Sequence, residues 1–109
     1  IGRNSMIGMN AVIMDDVEIG EECIIGALSF VNANTVIPQR SLVVGNPARI
    51  IKEVSDEMIN WKTKGTQLYQ QLPEDCFESL IACEPLTEVP DNRPSQESLY
   101  ETWEKIKSL

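Results

Sequence analysis

Apolar residues return at every sixth position along the first 48 residues. Cut into sixes, the stretch reads IGRNSM, IGMNAV, IMDDVE, IGEECI, IGALSF, VNANTV, IPQRSL and VVGNPA. Position one is always a branched aliphatic: Ile1, Ile7, Ile13, Ile19, Ile25, Val31, Ile37 and Val43. Position five is mostly small: Ser5, Ala11, Val17, Cys23, Ser29, Thr35, Ser41 and Pro47. A helix repeats every 3.6 residues and a flat strand every two, so neither carries this pattern alone. A chain that turns a corner every six residues does.

Three such short strands make a triangular coil of about 18 residues, and coils stack about 4.8 Å apart. Position one then points into the prism, and the small residue at position five faces inward near the corner. Positions three and four form the corner. Asn4, Asn10, Asn34 and Asn46 fall there, and Asn tolerates left-handed backbone angles. The predicted class is mainly β, a parallel β-helix over residues 1–48 followed by C-terminal helices. Residues 18 apart share a face, so position six builds three outward ladders. Met6, Ile24 and Leu42 form one, Val12, Phe30 and Ala48 a second, and Glu18 and Val36 a third. Apolar ladders on an outer face ask for cover. One is expected under a helix of the chain itself and another against a neighbouring subunit. The candidate subunit contacts are Met6, Ile24, Leu42, Val12 and Phe30.

Gly45-Asn46-Pro47-Ala48 ends the repeat, with 49–54 expected as a connector. Ser55 suits an N-cap, and Asp56 and Glu57 suit the first turn of a helix. Val54, Met58, Trp61, Gly65, Leu68 and Leu72 recur at spacings of three and four, which predicts a packing helix over 55–72. Pro73 is expected to interrupt it. A second helical stretch over 74–83 would gather Phe77, Leu80 and Ile81. Pro85, Pro90 and Pro94 predict an extended 84–94, and a last helix at about 96–108 would align Leu99, Trp103 and Ile106.

The net charge of −8 is uneven: residues 1–54 carry six acids and four bases, residues 55–109 eleven and five. An acidic tail repels phosphate backbones, which argues against nucleic acid as a partner. No run reaches the ~18 apolar residues of a membrane span. The three cysteines lack ligand spacing and are expected as free thiols in a reducing cytoplasm. The chain has no histidine, so a Ser-His-Asp or Cys-His arrangement is excluded. Asp15, Asp16, Glu18, Glu21 and Glu22 lie at turns and read as a solvated face. Arg40, Arg49 and Lys52 fall near the last coil and are candidates for contacting phosphates of a nucleotide-like cofactor, or form a solvent-exposed rim. Ile1 stands in repeat register with no initiator methionine, and a bare terminal coil would expose strand edges. The chain is therefore expected to be the C-terminal part of a longer protein.

IGMNAVIMDDVEIGEECIIGALSFV, VVGNPARIIKEVSDEMINWKTKGTQLYQ, EPL and DNRP resemble the C-terminal half of the γ-carbonic-anhydrase-like hexapeptide-repeat proteins, in the PaaY/CaiE branch. GNPAR alone is weakly specific, whereas its combination with Trp61-Lys62, Gly65-Thr66 and Tyr69-Gln70 is far more so. The resemblance implies a left-handed β-helix, a homotrimer, and zinc or another divalent metal held by histidines in coils that precede Ile1. No metal ligand is then expected in this chain. Met9 and Asn10 match the family's GM-N-A stretch, as a candidate pocket rim or as a plain turn. The implied activity is coenzyme-A thioester hydrolysis or CO2 hydration. A non-catalytic trimeric scaffold and a hexapeptide acyltransferase are the alternatives.

Overall fold

The computed structural model describes residues 1–93 and 101–108. The chain divides into two units, residues 1–63 and 64–109. In the first, β1 (Met6–Ile7), β2 (Val12–Ile13), β3 (Glu18–Ile19), β4 (Ile24–Ile25), β5 (Phe30–Val31) and β6 (Val36–Ile37) each occupy positions six and one of successive repeats. β7 (Ser41–Val44) is longer. Every parallel pairing joins residues 18 apart: Met6 with Ile24 and Ile24 with Leu42, Val12 with Phe30, and Glu18 with Val36. The result is a coil with three parallel faces.

The corners explain why the period is six. Asn4, Asn10, Asp16, Glu22, Leu28, Asn34 and Arg40, position four of seven successive blocks, all have φ between 53° and 60°. Asn was expected here. Glu, Leu and Arg adopt the same left-handed angle because their amides are held across the corner. The N–H groups of Glu22, Leu28, Asn34 and Arg40 donate to the carbonyls of Arg3, Met9, Asp15 and Glu21 in the preceding coil. Gly8, Gly20 and Gly26 donate the other way, to Ile25, Ile37 and Val43. Adjacent coils are thereby stitched in both directions.

Inside the prism Ile19, Cys23, Ile25, Val31, Ile37 and Val43 form the core. Ile1 and Ile7 are exposed by contrast, since the first coil has a described neighbour on one side only. Position five carries an internal polar seam. Ser5 Oγ donates to the Gly20 carbonyl, Cys23 Sγ to that of Pro38 at 3.1 Å, and Ser41 Oγ to the same oxygen at 2.7 Å.

Residues 49–54 are more than a connector. The chain reverses through Gly45, at φ 101°, and returns as β8 (Arg49–Glu53), antiparallel to β7 with an irregularity between Leu42 and Val43. β8 is the edge of the sheet β1-β4-β7-β8.

Helix α1 runs Asp56–Ser79, past the expected stop at Pro73. Ser55 caps it, its Oγ accepting from Met58 N. Proline in a helix removes one backbone hydrogen bond. Across that gap Gln71 Nε2 donates to Glu74 Oε2 at 2.7 Å and to Asp75 Oδ1 at 3.3 Å. The second helical stretch is thus the tail of the same helix, and Leu80 to Cys83 lie beyond it. In the second unit α2 spans Trp103–Lys107 only. Leu99, assigned to the same helix, lies outside the described residues.

Position two needs glycine where coils approach. A Cβ at Gly20 would collide with the backbone of Gln39, and no rotamer change relieves a backbone clash. Gly20→Ala is expected to cost about 2 kcal/mol in urea unfolding, in the range of overpacked sites. A loss under about 0.5 kcal/mol, the scale of a surface change, would mean that the coils are not this close.

Candidate functional site

The richest polar constellation in the first unit is the corner column Asn4–Glu22–Arg40, where the start of α1 is fastened. Arg40 Nε and Nη2 donate to the Val54 carbonyl at 3.2 and 2.9 Å, and Nη2 pairs with Asp56 Oδ1 at 2.6 Å. Glu22 stands 3.9 Å from Nε. The hydrogen bond that Arg40 donates to Asp56 holds the guanidinium pKa above its ordinary value, against partial desolvation, with the charges of Asp56, Glu22 and Glu53 in support. Two coils away, Lys62 Nζ donates to the Asn4 carbonyl at 3.0 Å and to Asn4 Oδ1. Asn4 Nδ2 lies 3.4 Å from Thr63 Oγ1.

The spacing is commensurate. Asp56 to Lys62 is six residues, about 9 Å of helix at 1.5 Å per residue. Arg40 to Asn4 is two coils, about 9.6 Å. The first two turns of α1 therefore climb this corner parallel to the stack. Between the two anchors Ile24, Val54 and Met58 are buried at 4%, 0% and 6% exposure, though none belongs to the prism core. The anchors set the helix start beside the Met6–Ile24–Leu42 ladder, of which Ile24 is buried and Met6 and Leu42 are half-buried. Val12, at 46% exposure, and half-buried Phe30 stand on another.

Lys62, buried to 4% exposure, takes a place in the apolar stripe that spacing had given to Trp61 and Gly65. Desolvation lowers its pKa, and Glu22 opposes the shift. Its only sequence signal is a lysine four residues after Met58, on the buried face.

The other candidates separate. Arg40 is engaged in the brace, while Arg49 and Lys52 lie exposed on β8, with Arg49 Nη1 donating to the Ala48 carbonyl at 3.0 Å. Met9, at 81% exposure, and Asn10 form a corner, with the Met9 carbonyl accepting from Leu28. At the far end of the prism Val31, Ile37, Val43, Ala48 and Ile50 line a cavity of about 80 Å³, well below the ~300 Å³ of small ligand pockets. Cys23, Cys76 and Cys83 are free thiols. Among the described residues no group of three His, Cys, Asp or Glu side chains is placed to hold a metal. None of their helices is long and apolar enough to cross a membrane.

Residues 1–33 match the bacterial transferase hexapeptide family, described by six repeats. This stretch is a run of hexapeptide repeats of that type. Over 94 residues, 86% of its length, the hexapeptide-repeat chain is 46% identical to the carnitine operon protein CaiE of Salmonella agona and of Escherichia coli K12. It is 44% identical to CaiE of a Proteus species. The matched region is 48% of each, so the chain spans about half the length of these relatives. A candidate acetyltransferase from Bacillus cereus superposes with TM-score 0.65 at 33% identity, covering 67% of this chain and 42% of that one. A hexapeptide transferase family protein from Anaplasma phagocytophilum superposes with TM-score 0.64 at 24% identity, covering 68% and 45%.

Lys62 offers a test of the brace. Its folded-state pKa lies below the unfolded value of about 10.4. Between the folded and unfolded values the unfolded chain binds more proton, so stability contributed through Lys62 grows as pH rises through that window. The stability advantage of the parent over Lys62→Met is expected to be larger at pH 10 than at pH 7 in urea unfolding. An advantage that shrinks with pH would contradict a desolvated ammonium.

Proposed function

We propose that this chain is the C-terminal portion of a trimeric, γ-carbonic-anhydrase-like hydrolase with a left-handed β-helix, working in the cytoplasm. Its activity is hydrolysis of a coenzyme-A thioester or hydration of CO2. The observation that carries the reading is the 46% identity to CaiE over 94 residues, extending from the coils into the helix and tail. The left-handed coil is supported by the likeness to hexapeptide transferase structures. Free cysteines agree with a reducing compartment.

Zinc or another divalent cation, held by preceding coils, would supply an activated water. The residues of this chain do not fit that metal: there is no histidine, and the described carboxylates and thiols do not converge. No catalytic step is assigned to them. Their part is to stack the prism, to brace α1 through Arg40 and Lys62, and to offer the Val12–Phe30 ladder to a neighbouring subunit. The burial of Ile24 in the Met6–Ile24–Leu42 ladder, against the exposure of Val12, is what favours that face.

Acyl transfer is the second reading, favoured by the Bacillus cereus structure. The full-length protein, incubated with acyl-coenzyme A, separates them. Release of free thiol without any acceptor, abolished by a chelator and restored by zinc, is the expected result. Thiol release only when an amine or hydroxyl acceptor is added would replace hydrolysis with acyl transfer. No turnover of a thioester or of CO2, with no metal bound, would leave a scaffold.

A further inference from the structure

The second unit exposes several large apolar side chains. Phe77, Ile81, Leu86 and Val89 are 90%, 82%, 78% and 76% exposed. At roughly 150 Å² apiece these four present on the order of 500 Å². That area is close to the apolar share of one side of a stable interface, about 57% of roughly 800 Å². The same arm is acidic. Between Glu74 and Asp91 there are six carboxylates and no basic residue.

A surface of opposite character stands at the end of the prism. All five residues of β8 are exposed, and its outer edge faces no described strand. β8 carries Arg49 and Lys52 beside Ile50 and Ile51, which are 51% and 55% exposed. An uncovered edge of that kind asks for cover. Leu86-Thr87-Glu88-Val89 lies between Pro85 and Pro90, with a bend at Thr87 and Glu88.

We propose that the acidic arm of one copy lies on the β8 edge of a second copy. Glu84 and Glu88 face Arg49 and Lys52, and Leu86 and Val89 lie against Ile50 and Ile51. Because the contact joins unlike surfaces it is heterologous, and it closes into a ring when the rotation permits. The inference rests on the trimeric reading above and names the pieces that fasten it.

The test uses the full-length protein. Light scattering on the parent checks assembly by itself: a monomer would overturn the trimer and the exchange together. Arg49→Glu with Lys52→Glu is expected to weaken self-association about tenfold, through like-charge juxtaposition. Adding Glu84→Lys and Glu88→Lys to that variant is expected to restore it. In a Cys76→Ser, Cys83→Ser background, Lys52→Cys with Glu88→Cys is expected to give disulfide-linked multimers on a non-reducing gel under mild oxidation by diamide. A trimer unmoved by every charge change, or a disulfide found only within single chains, would overturn the exchange and leave the trimer standing.

Discussion

The left-handed corner at every sixth residue is the constraint on which the rest of the molecule depends. From Glu22 onward each left-handed corner places one peptide N–H so that it reaches the carbonyl of the preceding coil, as Leu28 does to Met9 and Arg40 to Glu21. An isolated residue with φ near +55° is costly unless it is glycine or asparagine. Here Leu28 and Glu22 accept that geometry because the bond across the coils compensates them. Once the corners are set, alternation does the remainder. Position one turns in, position six turns out, and the 18-residue register stacks like upon like.

The interior needed no chemistry to be legible. Five of the eight position-one residues, Ile19, Ile25, Val31, Ile37 and Val43, are buried in the core with Ile13 packed against it, because branched aliphatics pack on a pleated wall. The N-cap at Ser55 was equally readable, since a hydroxyl followed by two acids is a local signal. What the spacing did not carry was longer in range. β8 pairs with β7 because the chain reverses at Gly45, and an edge strand of Arg-Ile-Ile-Lys-Glu has no alternation to announce it. Pro73 reads as a stop, yet Gln71 reaches past it to the next turn. Lys62 looks like a surface residue until a coil 58 positions earlier in the chain presents Asn4 to it.

The brace at Asn4, Glu22 and Arg40 shows how helix and coil are matched. Six residues of α-helix, about 9 Å, and two coil spacings, about 9.6 Å, differ by less than 1 Å. One helix can then touch the same corner at regular intervals without bending. The sequence meets this with Asp56 at one anchor, Lys62 at the other and Met58 between them over Ile24. Charge and burial divide the work: Arg40 is held by carboxylate and carbonyl, while Lys62 is enclosed and donates to Asn4. The consequence for function is indirect. The helix start lies beside one apolar ladder, whose Ile24 is buried, and Val12 on another side stays exposed.

Amide hydrogen exchange over residues 1–48 tests the corner geometry most directly. Leu28 has a side chain 71% exposed, and a turn residue at such a corner would ordinarily exchange fast. The account predicts that the amides of Glu22, Leu28, Asn34 and Arg40 are protected to the level of the core strands, recurring with a period of six. Exchange of those four at the rate of an open loop would contradict it.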